Sequence, residues 1–498
     1  MPKIPVLLQR KRRAKVVTIP APTGGLNTRD GLTAMAPNDA VLLDNWYPSQ
    51  TSVDTRYGYV VQTAIDVSGY IETLMAYYGE TTNKLLAASS IGTVFNTGGS
   101  DVNIITEDGK DILTEDGKMI LSNNDTNILS LTGMSNGRFQ YINFANSGGN
   151  YIIICNGADS VRAYNGTTWS TPAITGVTSA DLIHVNLHKR RIWFTEEGTL
   201  SAWYLPVDSI AGAAAEFDLK SFASKGGFLM AMATATLDGG YGIDDLAIFI
   251  TSRGQLLVYR GTDPASASTW ALIGVWDVGS PVGRRCFTKW GGDLLLITQD
   301  GITPVSQIMQ ASRTKRSAFS DKIHPTLTSA VKSYGDNFGW QIIHYPNLDA
   351  LFLNVPVQER ASQEQYVMNV ATPAWAHFTG WPAGCFEMFE DELYFGSFNV
   401  VAKAWSGTDD GGDDISAEAV GAFLELGAPG IQKRATMFGT ILYANGNPML
   451  SGGVNVDYDT RPNTSALQTQ SSNFGLWDSG TWDSAIWGPD LDIRRSWN

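Results

Sequence analysis

The feature that most constrains this chain is a pattern that recurs along it: an apolar burst, a short polar turn, then a second β-prone run. It reads "KLLAASSIGTVFNTGG" from Lys84, "YIIICNGADSVRAYNG" from Tyr151, "RIWFTEEGTLSAWYL" from Arg191, "LAIFITSRGQLLVYRG" from Leu246, "DLLLITQDGITPVSQ" from Asp293 and "ELYFGSFNVVAKAWSG" from Glu392. "ALFLNVPVQERASQEQYVMNVATPAW" from Ala350 fits with a longer connection. β-Rich runs flanking a turn that carries Gly or Asn are the signature of a hairpin. Once a 32-residue insertion is set aside, successive bursts begin about 35 to 57 residues apart, overlapping the spacing of four-stranded propeller blades. The expectation is therefore an all-β chain, a β-propeller of six or seven blades. Blades stacked face to face bury their middle strands on both sides, which explains continuous apolar runs where a half-exposed sheet would alternate. Two successive β-sandwiches are the alternative, but no break in composition marks a linker between them.

A repetitive fold also suits the length, since 498 residues exceed what one compact core accommodates, roughly 250 to 300. The 51 glycines and 11% aromatic content fit a turn-rich β chain. Charge divides the sequence unevenly. The net charge is -14, yet the first fifteen positions hold six basic residues (Lys3, Arg10, Lys11, Arg12, Arg13, Lys15) and no acidic one, so the rest sums to -20. Phosphate neutralisation by Lys and Arg supplies most nucleic-acid affinity, so such a body is no generic DNA binder. Cys155, Cys286 and Cys385 are far apart and odd in number, which predicts buried thiols in a reducing compartment, with neither a disulfide framework nor a CxxC metal knuckle. No apolar run is long enough for a transmembrane helix. "IPVLL" precedes the charges, the reverse of a signal peptide, so secretion by that route is not expected.

The insertion, residues 104 to 135, is four octads: "IITEDGKD", "ILTEDGKM", "ILSNNDTN" and "ILSLTGMS". Asp108-Gly109 and Asp116-Gly117 are strong turn signals between short strands. The spacing of acidic residues does not match a calcium loop, so a β-meander is expected. With two aliphatics per octad it is too polar to stand alone, which makes it a candidate contact between subunits. Helical signals are few: "PNDAVLLDNWY" at 37 to 47, and a stretch after Pro325 within residues 311 to 335, whose basic residues read as a solvated loop.

Catalytic signals are weak throughout. His184 and His188 have the i, i+4 spacing of a helical metal pair but sit in a segment that reads as strand and turn. There is no GxSxG elbow, no HExxH and no GxxxxGK[ST] loop. Adjacent carboxylates such as Glu196 with Glu197 and Asp244 with Asp245 fall in turns, where solvation explains them. No enzyme activity, cofactor or metal is expected.

The two ends carry the one specific signal. The opening "PAPTGGLNTRDGLTAMAPNDAVLLDNWYPSQTSVDTRYGY", residues 20 to 59, with Gly24, Gly25, Leu26, Asn45, Trp46, Pro48, Arg56 and Gly58, resembles the start of tail nozzle or tail hub proteins of short-tailed bacteriophages. The closing "LWDSGTWDSAIWGPD", with Trp477, Trp482 and Trp487, and the "RRSW" end are similar to the same family. The resemblance implies a structural virion protein without enzymatic activity, a homohexamer at the distal end of the phage tail. It would bind the tail adaptor ring, neighbour tail fibres or tailspikes, and pass genomic DNA through its lumen without sequence-specific binding. It implies a division into a basic arm (1–19), a propeller (67–410) and a platform built from residues 20–66 and 411–498. The arm is then a docking strap, with DNA contact or a solvated tail as the other readings. A carbohydrate-binding or carbohydrate-cleaving propeller of a tail fibre or cell surface is the competing function, since exposed Trp and Tyr can stack on sugars.

Overall fold

All seven hairpins form, and each supplies the second and third strands of one antiparallel sheet. The computed structural model describes residues 16–65, 69–97, 128–238, 243–310, 318–427 and 451–461, with short pieces at 102–103, 121–122, 433, 439, 441–444 and 495–497. Blade one comprises Ile71–Tyr78, Asn83–Ser89, Thr93–Asn96 and Ile128–Leu131; blade two comprises Gln140–Asn146, Gly149–Cys155, Arg162–Tyr164 and Trp169–Ser170. Blade three is Leu182–His188, Arg191–Glu196, Ser201–Tyr204 and Ala215–Asp218, and blade four is Leu229–Asp238, Ile243–Thr251, Gln255–Gly261 and Trp270–Asp277. Blade five has three strands, Phe287–Trp290, Asp293–Thr298 and Gly301–Pro304, followed by helices Val305–Gln310 and His324–Tyr334. Blade six is Gln341–Tyr345, Ala350–Gln358, Ser362–Asn369 and Ala374–Phe378; blade seven is Cys385–Phe389, Glu392–Gly396 and Val400–Ala404, completed by Tyr59–Ala64. The first strands of neighbouring sheets meet in order, except that Leu229–Asp238 of blade four meets Asp293–Thr298, the second strand of blade five, and the first strand of blade seven meets Ile71–Tyr78. The result is a closed β-propeller of six four-stranded blades and one three-stranded blade.

Burial explains the unbroken apolar runs. In Ile243–Thr251, Leu246, Ile248 and Ile250 pack toward blade five, while Ala247 and Phe249 pack toward blade three. The alternation of a strand persists, but both faces are dry. The joint between blades three and four is aromatic: Trp270 stacks on Trp193 at 5.6 Å and on Tyr259 at 5.8 Å. Cys155, Cys286 and Cys385 are buried free thiols, as expected.

Both ends of the chain join in the platform. Asp39–Asp44 continues the sheet of blade six, pairing in parallel with Ala374–Phe378 at Asp44 and His377 and antiparallel with Glu418–Gly421. A second sheet runs Trp46–Pro48, Val53–Thr55, Arg495–Trp497, Leu442–Ala444. Trp477, Trp482 and Trp487 lie outside the described residues.

Three expectations change. Residues 37 to 47 are strand, not helix: Ala40 and Leu43 are fully buried, and ladders occupy both edges of Asp39–Asp44, so pairing overrides local propensity. Tyr59–Ala64, assigned to the platform from sequence, is the outer strand of blade seven. Ile128–Leu131, counted in the insertion, is the outer strand of blade one. The insertion thus interrupts the connection between the third and fourth strands of that blade, and Val102–Asn103 pairs antiparallel with Leu121–Ser122 at its base. Asp108, Gly109, Asp116 and Gly117 lie outside the described residues. The helix after Pro325 forms, with Pro325 in its first turn, where a missing N–H costs nothing.

Trp193→Ala removes a side chain only 1% exposed at an interface between blades. It should lower unfolding free energy by about 3 to 5 kcal/mol in denaturant titration; an unmoved midpoint would contradict the packing.

Candidate functional site

Most motif residues of the N-terminal segment lie along one buried seam between platform and propeller. Arg56 is its centre. Its Nη1 and Nη2 donate to Asp410 Oδ1 and Oδ2 at 2.7 and 2.5 Å, its Nε to Asn45 Oδ1 at 2.8 Å, and Nη2 also to the Thr379 carbonyl at 2.5 Å. The guanidinium lies over Trp381 at 5.2 Å and Phe378 at 5.7 Å. Its side chain is fully buried and that of Asp410 nearly so. A planar fork that matches a carboxylate and stacks on aromatic rings is a role Lys cannot fill.

Asn45 turns the chain into this joint. It adopts φ 59°, a conformation Asn tolerates better than most residues, and its Nδ2 donates to Thr379 Oγ1 at 3.0 Å and the Ser416 carbonyl at 2.7 Å. Trp46, the next residue, is buried in the core shared with blades five to seven. The glycines are set by close backbone approach. A Cβ on Gly58 would lie 1.5 Å from the Asp409 carbonyl oxygen, and one on Gly25, at φ 78°, 2.6 Å from the Trp375 backbone. A Cβ on Gly24 would meet Asp39 Oδ1, the carboxylate that accepts from Lys322 Nζ at 2.8 Å. Thus Gly25, Asn45, Trp46, Arg56 and Gly58 serve the seam between the first platform segment and blades six and seven, whereas Gly24 packs on Asp39 within its own segment.

Sequence reasoning did not single out the partners. Asp410 lies in "SGTDDGGDD", which reads as a polar break, and Thr379 and Trp381 lie in "FTGWPAG", which carries no motif. Arg10, Lys11, Arg12, Arg13 and Lys15 lie outside the described residues.

A second cluster stoppers the axis of the propeller. Arg285, just before the first strand of blade five, reaches across to blades one and two: its Nη2 donates to Thr73 Oγ1 at 2.7 Å and to the carbonyls of Glu72 and Phe139 at 3.0 and 3.3 Å. Glu72, whose side chain is 2% exposed, accepts from Arg138 Nε at 3.1 Å and Arg360 Nη2 at 2.7 Å. The Phe338 ring lies beneath both Arg138 and Arg285. Deeper in, burial pushes the Glu387 carboxyl up to about 7, with the Tyr141 hydroxyl and Arg285 holding it back. A hole that one arginine side chain can span admits no duplex.

Histidine chemistry is structural. Burial pushes His184 and His188 down to about 4, so both are neutral at pH 7, and no group of three metal-ligating side chains occurs among the described residues. His377 is different. Burial alone would lower it, but its Nδ1 lies 2.9 Å from Asp44 Oδ1 and its Nε2 3.2 Å from Glu364 Oε2, and the two carboxylates hold it up at about 9. A charged imidazolium therefore ties Asp39–Asp44 to blade six.

No family model and no curated protein matches the chain. Among solved structures it is similar to BBS1N in complex with ARL6DN soaked with mercury, at TM-score 0.41 and 8% identity over 71% of this chain and 99% of that one. The lead-soaked form of the same complex gives 0.42 and 9%, over 71% and 99%. The WD40 beta propeller domain of Doa1 is similar at TM-score 0.37 and 10% identity, over 70% of this chain and 96% of that one. The propeller itself is established by the strand ladders of this chain.

Two measurements test the joint. Arg56→Met leaves the Asp410 carboxylate buried without its cation and should cost about 3 to 5 kcal/mol, whereas Arg56→Met with Asp410→Asn should cost clearly less than the two single changes together; additivity would disprove the pairing. The His377 contribution, judged against His377→Gln, should be full below its ordinary value of 6.5 and vanish as pH rises through about 9. At most it amounts to about 3 kcal/mol. A pH-independent difference between the two proteins would remove the ion contact.

Proposed function

We propose that this chain is a structural, non-enzymatic subunit of a phage tail, the nozzle or hub of a short-tailed virion. It acts as a homohexamer attached below the tail adaptor ring, beside tail fibres or tailspikes, and it retains and then conducts genomic DNA. The observation that supports this reading is that five of the six motif residues, Gly25, Asn45, Trp46, Arg56 and Gly58, lie along one buried seam, while Gly24 packs beside it on Asp39.

The stoppered axis is compatible with it. DNA cannot pass through one propeller, so a conduit must lie between copies, and an acidic wall repels phosphate and lets DNA slide. The carbohydrate reading needs exposed aromatic shelves. Among tryptophans with described burial, Trp46 to Trp405, none is exposed, but Tyr78, Tyr443 and Tyr458 are, so a glycan array is the test that separates the two readings.

Mixing the purified chain with tail adaptor rings and imaging by negative stain should give six-fold rings on the adaptor and a soluble monomer without it. Failure to bind the adaptor, together with binding on a glycan array, would replace this reading with the carbohydrate one.

A further inference from the structure

We propose that the basic arm of one copy docks as an added strand on the open edge of blade seven in a neighbouring copy, along Val60–Gln62 and beside the acidic loop 409–418. The inference rests on the ring reading only for bringing two copies together.

Among the described residues the acceptor sheet ends on an open edge. Tyr59–Ala64 pairs with Val400–Ala404 on one side; on the other, the Tyr59–Asp410 bridge holds its first residue, and no described strand covers Val60 to Gln62. Val60 and Val61 are 44% and 36% exposed, unusual for apolar residues on a strand. Exposed edges with apolar side chains are templates for another strand.

The donor has the matching chemistry. The arm leads into Val16, Val17, Thr18 and Ile19, a β-branched run, and Val16 is 90%, Val17 43% and Ile19 40% exposed on its own body. Its own copy therefore leaves these side chains uncovered, which points to another copy.

Charge selects between two edges. The outer strand of blade four, Trp270–Asp277, is longer and also exposes apolar residues, Ile273 and Val275. Charges beside it are paired, with Lys225 on Asp277 at 3.0 Å and Arg191 on Asp263 at 3.3 Å. At blade seven the loop carries Asp409, Asp413, Asp414 and Glu418, which form no ion pair among the described residues; only Asp410 is neutralised, by Arg56. Six basic residues just ahead of the donor strand therefore favour the blade-seven edge.

The test uses full-length chains with single cysteines, since the native three are buried. Val17→Cys mixed with Val61→Cys under mild oxidation should give a disulfide-linked dimer. Its yield should drop about tenfold at high salt, and likewise when Asp409, Asp413 and Asp414 are changed to Asn. Gln62→Cys serves as a second acceptor should Val61→Cys disturb the strand. Equal cross-linking to Val275→Cys, or no cross-link to either blade-seven position, would overturn the proposal. Hexamers on the adaptor without the cross-link would refute this contact alone, whereas the cross-link without hexamers would spare it and refute the ring.

Discussion

Closure of the ring is the constraint on which the rest depends. Blade seven takes three strands from the late chain and its fourth, Tyr59–Ala64, from the early chain. A propeller sealed this way holds only if the early segment is fixed at both sides of that strand. Arg56 does this on one side, binding Asp410 beyond the last blade, Asn45 in the platform and the Thr379 carbonyl after blade six. On the other, the Ile65 N–H donates to the Asn399 carbonyl of blade seven at 2.7 Å. A buried ion pair contributes little net stability over an apolar replacement, but losing one partner costs heavily, so it enforces a single arrangement.

The platform follows from that closure. Because the chain must return to its beginning to finish blade seven, the segments on both sides of the seam run together, and Asp39–Asp44 and Glu418–Gly421 become neighbours in one sheet. His377 then adds a second charged tie, between a platform strand and the outer strand of blade six. The axis is fixed independently by Arg285, which joins blades that are far apart around the ring. Seam and axis hold the disc at its rim and at its centre.

The hairpins were legible because β-branched runs and Gly-bearing turns are local signals, and all seven appear where the sequence puts them. What was illegible was non-local. Residues 37 to 47 carry apolar spacing compatible with a helix, and only pairing to Ala374–Phe378 and Glu418–Gly421 makes them a strand. Asp410 could not be told from its acidic neighbours, because what distinguishes it is the burial of Arg56 beside it. Arg285 is one of two adjacent basic residues in "GRRC", and its reach across the axis depends on ring geometry that no window of sequence encodes. Gly25 and Gly58 entered through a resemblance; the physical reason for each is another backbone that arrives from hundreds of residues away.

The late completion of blade seven has a consequence for how the protein is made. The strand Tyr59–Ala64 leaves the ribosome early, while its partner Val400–Ala404 follows roughly 340 residues later, a delay on the order of tens of seconds at ordinary synthesis rates. Throughout that interval nascent chains carry an unpaired β segment with two adjacent valines, Val60 and Val61, so the youngest molecules are the ones most at risk of sticking to each other. A chaperone that shields this stretch would determine how much of the newly made chain reaches the closed ring.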